Sequence, residues 1–473
     1  MKKHLHRLLP IIISLISVTI CCETKKTKST DINQKIAVLD SLGQSILKEG
    51  QVVGFSVAIM QGADTVYNQG FGFMDVEKTM PITKDTRFLM ASVSKLIGST
   101  LLMKLVEEEK LSLNKTLFEL MPDFPNPEQA KKITLEHMIS HTSGLPEYAK
   151  VIDTIFVKTG KAPTREDYLN FFKGRDLLFE PGSNYSYCNS GYVLLGIILE
   201  QITGNTLQQE FDRVINEPTS MDLKLIAEAT SLPEMSPYWE LVDSNYLHYP
   251  HWTWIQGDGG LTATSIMLAQ FPRQWASGVI ISPSSFEEMI MPRILTDGIQ
   301  TGYGLGVRNG EFFGERIIGH TGGHKSTYAI MVYFPARDVS FVVFVNTDHT
   351  PTNARKVFGL FAAEYLGVQP NEPSISIKPL NDPSKYVGFY GAHNDKTEQI
   401  IEIKLNEEGI LVYCYKEECF PMAYIGDHKF WIEEWPFDHV IFEINEKGEA
   451  IAIKEYFTGF YSLLRKKLKQ NRF

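Results

Sequence analysis

Two sets of apolar runs, one near each end of a long helical stretch, limit what this chain can fold into. "VVGFSVAIM" (52–60) and "DTVYNQGFGFMD" (64–75) read as strands, and so do "STYAIMVYFP" (326–335) and "SFVVFVNT" (340–347). Each is rich in β-branched and aromatic residues. The links between neighbours are short turns, which join antiparallel strands and not parallel ones. "GYGLGVRNG" and "FFGERIIGH" add strand character just before the late pair, and "TNARKVFGLFAAEYL" (352–366) has helical spacing just after it. "KIAVLDSLGQSILKEG" has the same spacing before the first strand, and Gly50 closes it. The plan is α+β: one antiparallel sheet built from both chain ends and flanked by helices. The mainly helical stretch from about 90 to 270 forms a large insert beside it. "YWELVDSNYLHYPHWTWIQ" (238–256) belongs to that insert, its aromatics lining a pocket or filling core.

Beyond the last helix the character changes. "GVQPNEPSISIKPLNDPSKYVG" is rich in proline and turn residues, which places a linker at 369–386. From 387 to 473 short alternating strands separated by Gly, Asp and Asn turns predict an all-β accessory domain, a small barrel. With 473 residues, 43% of them hydrophobic, there is ample material for several cores. The main domain is set at 34–368.

The first residues, "MKKHLHRLLPIIISLISVTICC", carry a cationic tip and an apolar run from Leu8 to Ile20. That is the shape of a signal peptide over 1–21, and the run is short for a membrane span. Cys21 and Cys22 end it, like the site at which an exported lipoprotein is acylated; a plainly secreted product and an uncleaved anchor are the alternatives. Each puts the folded part outside the cytoplasm, with 22–33 as a polar tether and a lipid anchor as its only membrane contact. Export permits disulfides. Cys414 and Cys419 flank "YKEE" and can face each other across a hairpin, or remain two free thiols. The net charge of −10 and the lack of an extended basic tract leave no footprint for a nucleic-acid backbone.

Chemistry enters at "FLMASVSKLIGSTLLMKLVEEEK" (88–110). Positions three apart share a helix face, so Lys95 pairs with Ser92 and not with Ser94. Ser92 stands where the helix starts, among free backbone N–H groups that favour a developing oxyanion. Lys104 lies on roughly the opposite face. With Lys104 on the solvent side, Lys95 points inward, where burial lowers an amine's pKa and makes it a base. A serine cap followed by a solvated lysine is the plainer alternative. In "NYSYCNSGY" an extended segment sends Tyr187 and Asn189 to one side and Cys188 to the other. A phenol and an amide there can shuttle a proton and grip a substrate amide; a core aromatic and a helix cap are the plainer roles. In "IIGHTGGHKSTYAIMVYF", His320, Thr321, Gly322 and Gly323 precede a strong strand. The glycines allow close approach of a substrate, and the Gly323 N–H can join that of Ser92 as an oxyanion hole; a glycine-rich hairpin is the alternative.

Taken together and in this order, Ser92-x-x-Lys95, Tyr187-x-Asn189 and His320-Thr321-Gly322 resemble the penicillin-recognising serine hydrolases: class C β-lactamases, D-alanyl-D-alanine carboxypeptidases and penicillin-binding esterases. "ITLEHMISHTSGLPEY", "GYVLLGIILE", "GDGGLTATSIMLAQF" and "GYGLGV" match that family in order, so the resemblance spans about 35–366. Tyr187-Cys188-Asn189 stands where Ser-Asp-Asn stands in other branches, and His320 replaces a lysine. A second Lys-Thr-Gly, Lys158 to Gly160 in "VKTGK", falls before Tyr187 and reads as a loop. The resemblance implies acyl transfer through an ester of Ser92, with Lys95 and Tyr187 sharing the proton, Asn189 orienting the acyl side, and no metal or cofactor. Small peptides, esters or β-lactams are the implied substrates. A histidine at 320, partly charged at neutral pH, favours a peptidase or esterase over an efficient β-lactamase. A penicillin-binding or peptidoglycan-sensing module with little turnover is the alternative function. No Gly-x-Ser-x-Gly elbow occurs, and the His137/His141 and His320/His324 pairs lack the His-Glu-x-x-His zinc pattern, which leaves His141 a structural hydrogen-bonding role.

Overall fold

The structure is a computed structural model, and it describes residues 34–249, 256–324, 327–350, 352–368, 378–391, 400–416, 418–433 and 437–468. The signal-peptide and tether segments lie outside these residues.

Six strands form the main sheet: β1 (Gly54–Gln61), β2 (Asp64–Gly72), β3 (Arg308–Phe312), β4 (Glu315–His324), β5 (Thr327–Phe334) and β6 (Val339–Val345). Their order is β3-β4-β5-β6-β1-β2, all antiparallel, so the first strand of the chain pairs directly with a late one: Phe55 faces Val345 and Gln61 faces Val339. The near-continuous burial of β1, β5 and β6 has a simple cause. Alternate residues enter two different cores. Phe55, Val57, Ile59, Ile330, Val332, Phe341 and Val343 pack with α1 (34–49) and α5 (Ala354–Leu366) on one face. Ala58, Met60, Ala329, Met331, Val342 and Phe344 pack on the other against the insert, including α2 (Ser94–Glu107), α3 (Ser190–Thr203) and α4 (Ser265–Ala276). A strand buried on both faces has no polar side to alternate with.

Helix α2 is buried nearly all round, from Ser94 to Leu105, which fits its lack of a polar stripe. Part of the insert is not helical. Tyr238–Val242 and Asn245–Tyr249 form a hairpin through Asp243 and Ser244, at φ 47° and 68°. Asx and Ser residues tolerate the left-handed region that such a tight turn demands. Lys158-Thr159-Gly160 is not a free loop either: it ends the helix Ala149–Thr159, with Gly160 at φ 65° and open space around it.

The tail forms eight antiparallel strands, β7 (Gly388–Gly391), β8 (Ile400–Leu405), β9 (Leu411–Tyr415), β10 (Glu418–Gly426), β11 (Lys429–Ile432), β12 (His439–Ile444), β13 (Ala450–Phe457) and β14 (Phe460–Lys467). Strand β7 pairs with β14 at Tyr390↔Lys467 and closes the set into a barrel. Cys414 and Cys419 face each other across β9 and β10 and are disulfide-bonded. The end of the stretch read as linker belongs to this barrel, because Tyr386 is fully buried in its core. Strand β14 also meets β3 of the main sheet at Phe460↔Gly310, so the two sheets join edge to edge.

Candidate active site

The site begins at a tight turn. Strand Phe88–Leu89 gives way to a 3-10 turn at Ala91–Val93, and α2 follows from Ser94. Ala91 sits at φ 44°, a conformation that costs a non-glycine residue of order 1 kcal/mol and recurs at functional sites. Strand β4 lies against this turn at Gly322. A Cβ there would come within 2.3 Å of the Met90 carbonyl oxygen and 3.1 Å of the Ser92 nitrogen, so only glycine fits the approach. Gly323, one residue on, is exposed beside that contact, and Thr321 is buried on the other side.

The turn presents Ser92, half-buried, to the fully buried Lys95. Lys95 Nζ lies 3.0 Å from Ser92 Oγ and donates to the Asp258 carbonyl oxygen at 2.5 Å. The same Nζ is 5.3 Å from the centre of the Tyr187 ring and 5.4 Å from that of Tyr192. Ser94 is excluded from this group: its Oγ accepts from the Leu261 N–H at 3.1 Å in the core.

Tyr187 is held by a template. The Ser186 N–H donates to the His141 carbonyl at 2.9 Å, the Cys188 N–H to His141 Nδ1 at 3.1 Å, and the Asn189 N–H to Glu147 Oε2 at 2.7 Å. "HTSGLPE" thus fixes the extended segment, with Tyr187 and Asn189 half-buried and Cys188 turned into the core. Because Nδ1 of His141 accepts, the ring is neutral with its proton on Nε2. Burial, reinforced by the charges of Lys95 and Arg308, holds its pKa well below the usual value. Burial pushes the Cys188 thiol up to about 12, which removes it as a competing nucleophile. The Tyr187 ring packs 4.2 Å from that of His141, and its hydroxyl, though buried, makes no hydrogen bond among the described residues.

His320 is a correction to the sequence-based expectation. It is fully buried and does not present a partly charged ring to a substrate. Its Nδ1–H donates to the Thr321 carbonyl at 2.6 Å, so Nε2 accepts from the Tyr303 hydroxyl at 2.9 Å. Burial first, then the charges of Arg308 and Lys95, keep its pKa well below 6.5 and the ring neutral.

Two groups at the site escaped the reading of the sequence. Asp258, inside "GDGG", supplies the carbonyl that holds Lys95. Its carboxyl accepts from the Tyr148 hydroxyl at 2.8 Å and is pushed by burial up to about 6. Arg308, inside "GYGLGVRNG", places its guanidinium 5.0 Å from the centre of the Tyr187 ring. Both stretches stood out as motifs, but only the assembled fold brings them to Lys95 and Tyr187.

An amine in hydrogen-bond reach of a hydroxyl, beside a phenol, at a turn lined by backbone N–H groups, is equipped for nucleophilic acyl transfer. Comparison with known proteins agrees with this chemistry. The model of the Beta-lactamase family matches residues 39–363. Penicillin-binding protein 4* of Bacillus subtilis (strain 168) is 25% identical over 393 residues, covering 76% of this chain and 84% of that protein. A D-aminopeptidase of Gluconobacter oxydans (strain 621H) is 25% identical over 340 residues, covering 71% of this chain and 62% of that protein. Among solved structures, the octameric penicillin-binding protein homologue from Pyrococcus abyssi shares the fold with a TM-score of 0.64 at 23% identity, over 91% of this chain and 100% of that one. The D-amino acid amidase from Ochrobactrum anthropi SV3 follows at 0.60 and 20%, over 71% and 98%.

Proposed function

The chain belongs to the Beta-lactamase family and is a serine hydrolase, and from that premise we propose that it cleaves amides or esters of small peptides through an acyl-enzyme on Ser92. The observation that carries the proposal is the 3.0 Å contact between Lys95 Nζ and Ser92 Oγ, with the Tyr187 ring 5.3 Å from the same nitrogen.

In this mechanism Ser92 Oγ attacks the carbonyl while Lys95 and Tyr187, acting as a pair, take its proton and return it to the leaving group. The N–H groups of Ser92 and Gly323 hold the oxyanion, and loss of one such donor costs roughly 100- to 1000-fold. Asn189 orients the acyl side, and Thr321 and Gly322 line the strand along which the substrate lies. Water then cleaves the ester and regenerates Ser92. The neutral, sealed His320 gives the strand no cation for a carboxylate, which favours D-amino acid amides and short esters over β-lactams and peptides with a free carboxylate. The names of two similar proteins, a D-aminopeptidase related in sequence and a D-amino acid amidase that shares the fold, point the same way. We also place the domain outside the cytoplasm on a lipid anchor, a reading supported by the Cys414–Cys419 disulfide, which suits an oxidising compartment.

The test is steady-state kinetics on D-Ala-D-Ala peptides, D-amino acid amides, nitrophenyl esters and nitrocefin. Turnover of an amide or ester that vanishes in Ser92→Ala supports the proposal. Stoichiometric acylation without turnover on every substrate would instead make the protein a penicillin-binding or peptidoglycan-sensing module.

A further inference from the structure

Arg308 opens β3, in register with Gly319 of β4, and is 7% exposed. Among the described residues no carboxylate pairs with it. A cation buried without a counter-ion is costly, so its surroundings must hold it by other means. They do so with aromatic faces and one carbonyl. The guanidinium carbon lies 5.0 Å from the centre of the Tyr187 ring and 5.7 Å from that of Tyr303, both within cation–π range. Nη1 donates at 2.6 Å to the carbonyl oxygen of Tyr461, on barrel strand β14.

The barrel is seated firmly enough to act as an anchor. Glu311 N–H donates to the Gly459 carbonyl at 2.9 Å next to the Phe460↔Gly310 pairing. Tyr461 packs 5.1 Å from Tyr185 in a cluster with Leu295, Ile299, Tyr303 and Leu464, and Tyr187 packs against that cluster. A continuous path therefore runs from the Tyr461 carbonyl through Arg308 to Tyr187 and on to Lys95 and Ser92.

We propose that Arg308 is a positioning residue for Tyr187, and that the C-terminal barrel, through Tyr461, is a working part of the active site. The proposal rests on the reading of Ser92, Lys95 and Tyr187 given above. Nη1 of Arg308 is engaged with the Tyr461 carbonyl and the guanidinium plane lies by the Tyr187 and Tyr303 rings, while Nε is buried without a hydrogen-bond partner among the described residues. The effect of Arg308 on a substrate therefore passes through the phenol that it orients.

A double-mutant cycle of Arg308 and Tyr187 tests this, read by hydrolysis of p-nitrophenyl acetate and by the rate at which a fluorophosphonate labels Ser92. Arg308→Gln is expected to lower kcat and the labelling rate about 10- to 100-fold, with KM within about threefold, the size of loss that a small misplacement produces. Arg308→Lys, which keeps the charge without the fork, is expected to recover part of the loss. In a Tyr187→Phe background, Arg308→Gln is expected to change either rate by less than about threefold, because groups that act as one unit are not additive. An equal loss in both backgrounds would overturn the proposal. So would a rise in KM at unchanged kcat, which would make Arg308 a direct substrate ligand. Ser92→Ala is run beside the cycle: full activity in that variant defeats the serine mechanism itself, whereas a dead Ser92→Ala with an additive cycle defeats only the role of Arg308.

Discussion

At the scale of single residues, two serines two positions apart have opposite environments. Ser94 satisfies the buried Leu261 N–H, while Ser92 keeps its hydroxyl for Lys95. Ser94→Ala is therefore expected to cost about 1–3 kcal/mol of stability, the penalty for an orphaned buried donor, with hydrolysis largely retained. Thermal melting and ester kinetics on the same preparation check both halves. The buried histidines make a pH prediction. His141, His320 and His439 all have folded pKa values held well below 6.5 by burial. The unfolded chain binds protons there that the folded chain does not, so stability is fully present above about pH 6.5 and is lost as pH falls. Asp258 and Asp438, raised to about 6, act in the opposite sense as pH falls through about 6. The melting temperature is expected to fall between pH 7.5 and 6 and to flatten below, with a shallower fall in His320→Gln. A melting temperature that does not change over that range would contradict the neutral assignment. The lysine's inward direction was legible from the nine-residue offset to Lys104. The fate of His320 was not, because nothing local reveals that Tyr303 and the Thr321 carbonyl occupy both ring nitrogens.

At the scale of elements, the close approach of β4 to the Ser92 turn depends on Gly322. Gly322→Ala would drive a methyl group into the Met90 carbonyl and shift the strand from the turn. Activity is expected to fall at least about 100-fold with little change in circular dichroism, since a misplacement of about 1 Å is enough. Native-like activity in Gly322→Ala would show that the strand does not set the oxyanion site. Strands β1, β5 and β6 were legible because buried runs of Val, Ile and Phe have few other uses. The hairpin Tyr238–Tyr249 was not. Its turn is Asp243-Ser244 rather than the Asn-Gly or Asp-Gly pair that announces such a turn, and it lies inside a stretch dominated by helices.

At the scale of the whole molecule, the barrel and the main sheet share an edge, and the site reaches across it. The partnerships involved are distant in sequence: Lys95 and Asp258 are 163 residues apart, and Arg308 and Tyr461 are 153 apart. Periodicity and spacing carry no information at that range, so the barrel read as an accessory although its strands were foreseen. Gly310 is the joint. A Cβ at that position would lie 2.0 Å from the Gly459 carbonyl oxygen, so Gly310→Val pries β14 from β3. The expected result is a lower melting temperature together with a lower kcat. A lower melting temperature with unchanged kcat would show that the barrel stabilises the fold without serving the site.

The measurement that bears most directly on the central claim is intact-mass and peptide mapping after reaction with a fluorophosphonate. The Ser92 mechanism predicts one adduct per chain, on Ser92, absent in Ser92→Ala, strongly slowed in Lys95→Ala and retained in Ser94→Ala. An adduct on any other residue, or catalysis that survives in Ser92→Ala, would contradict it.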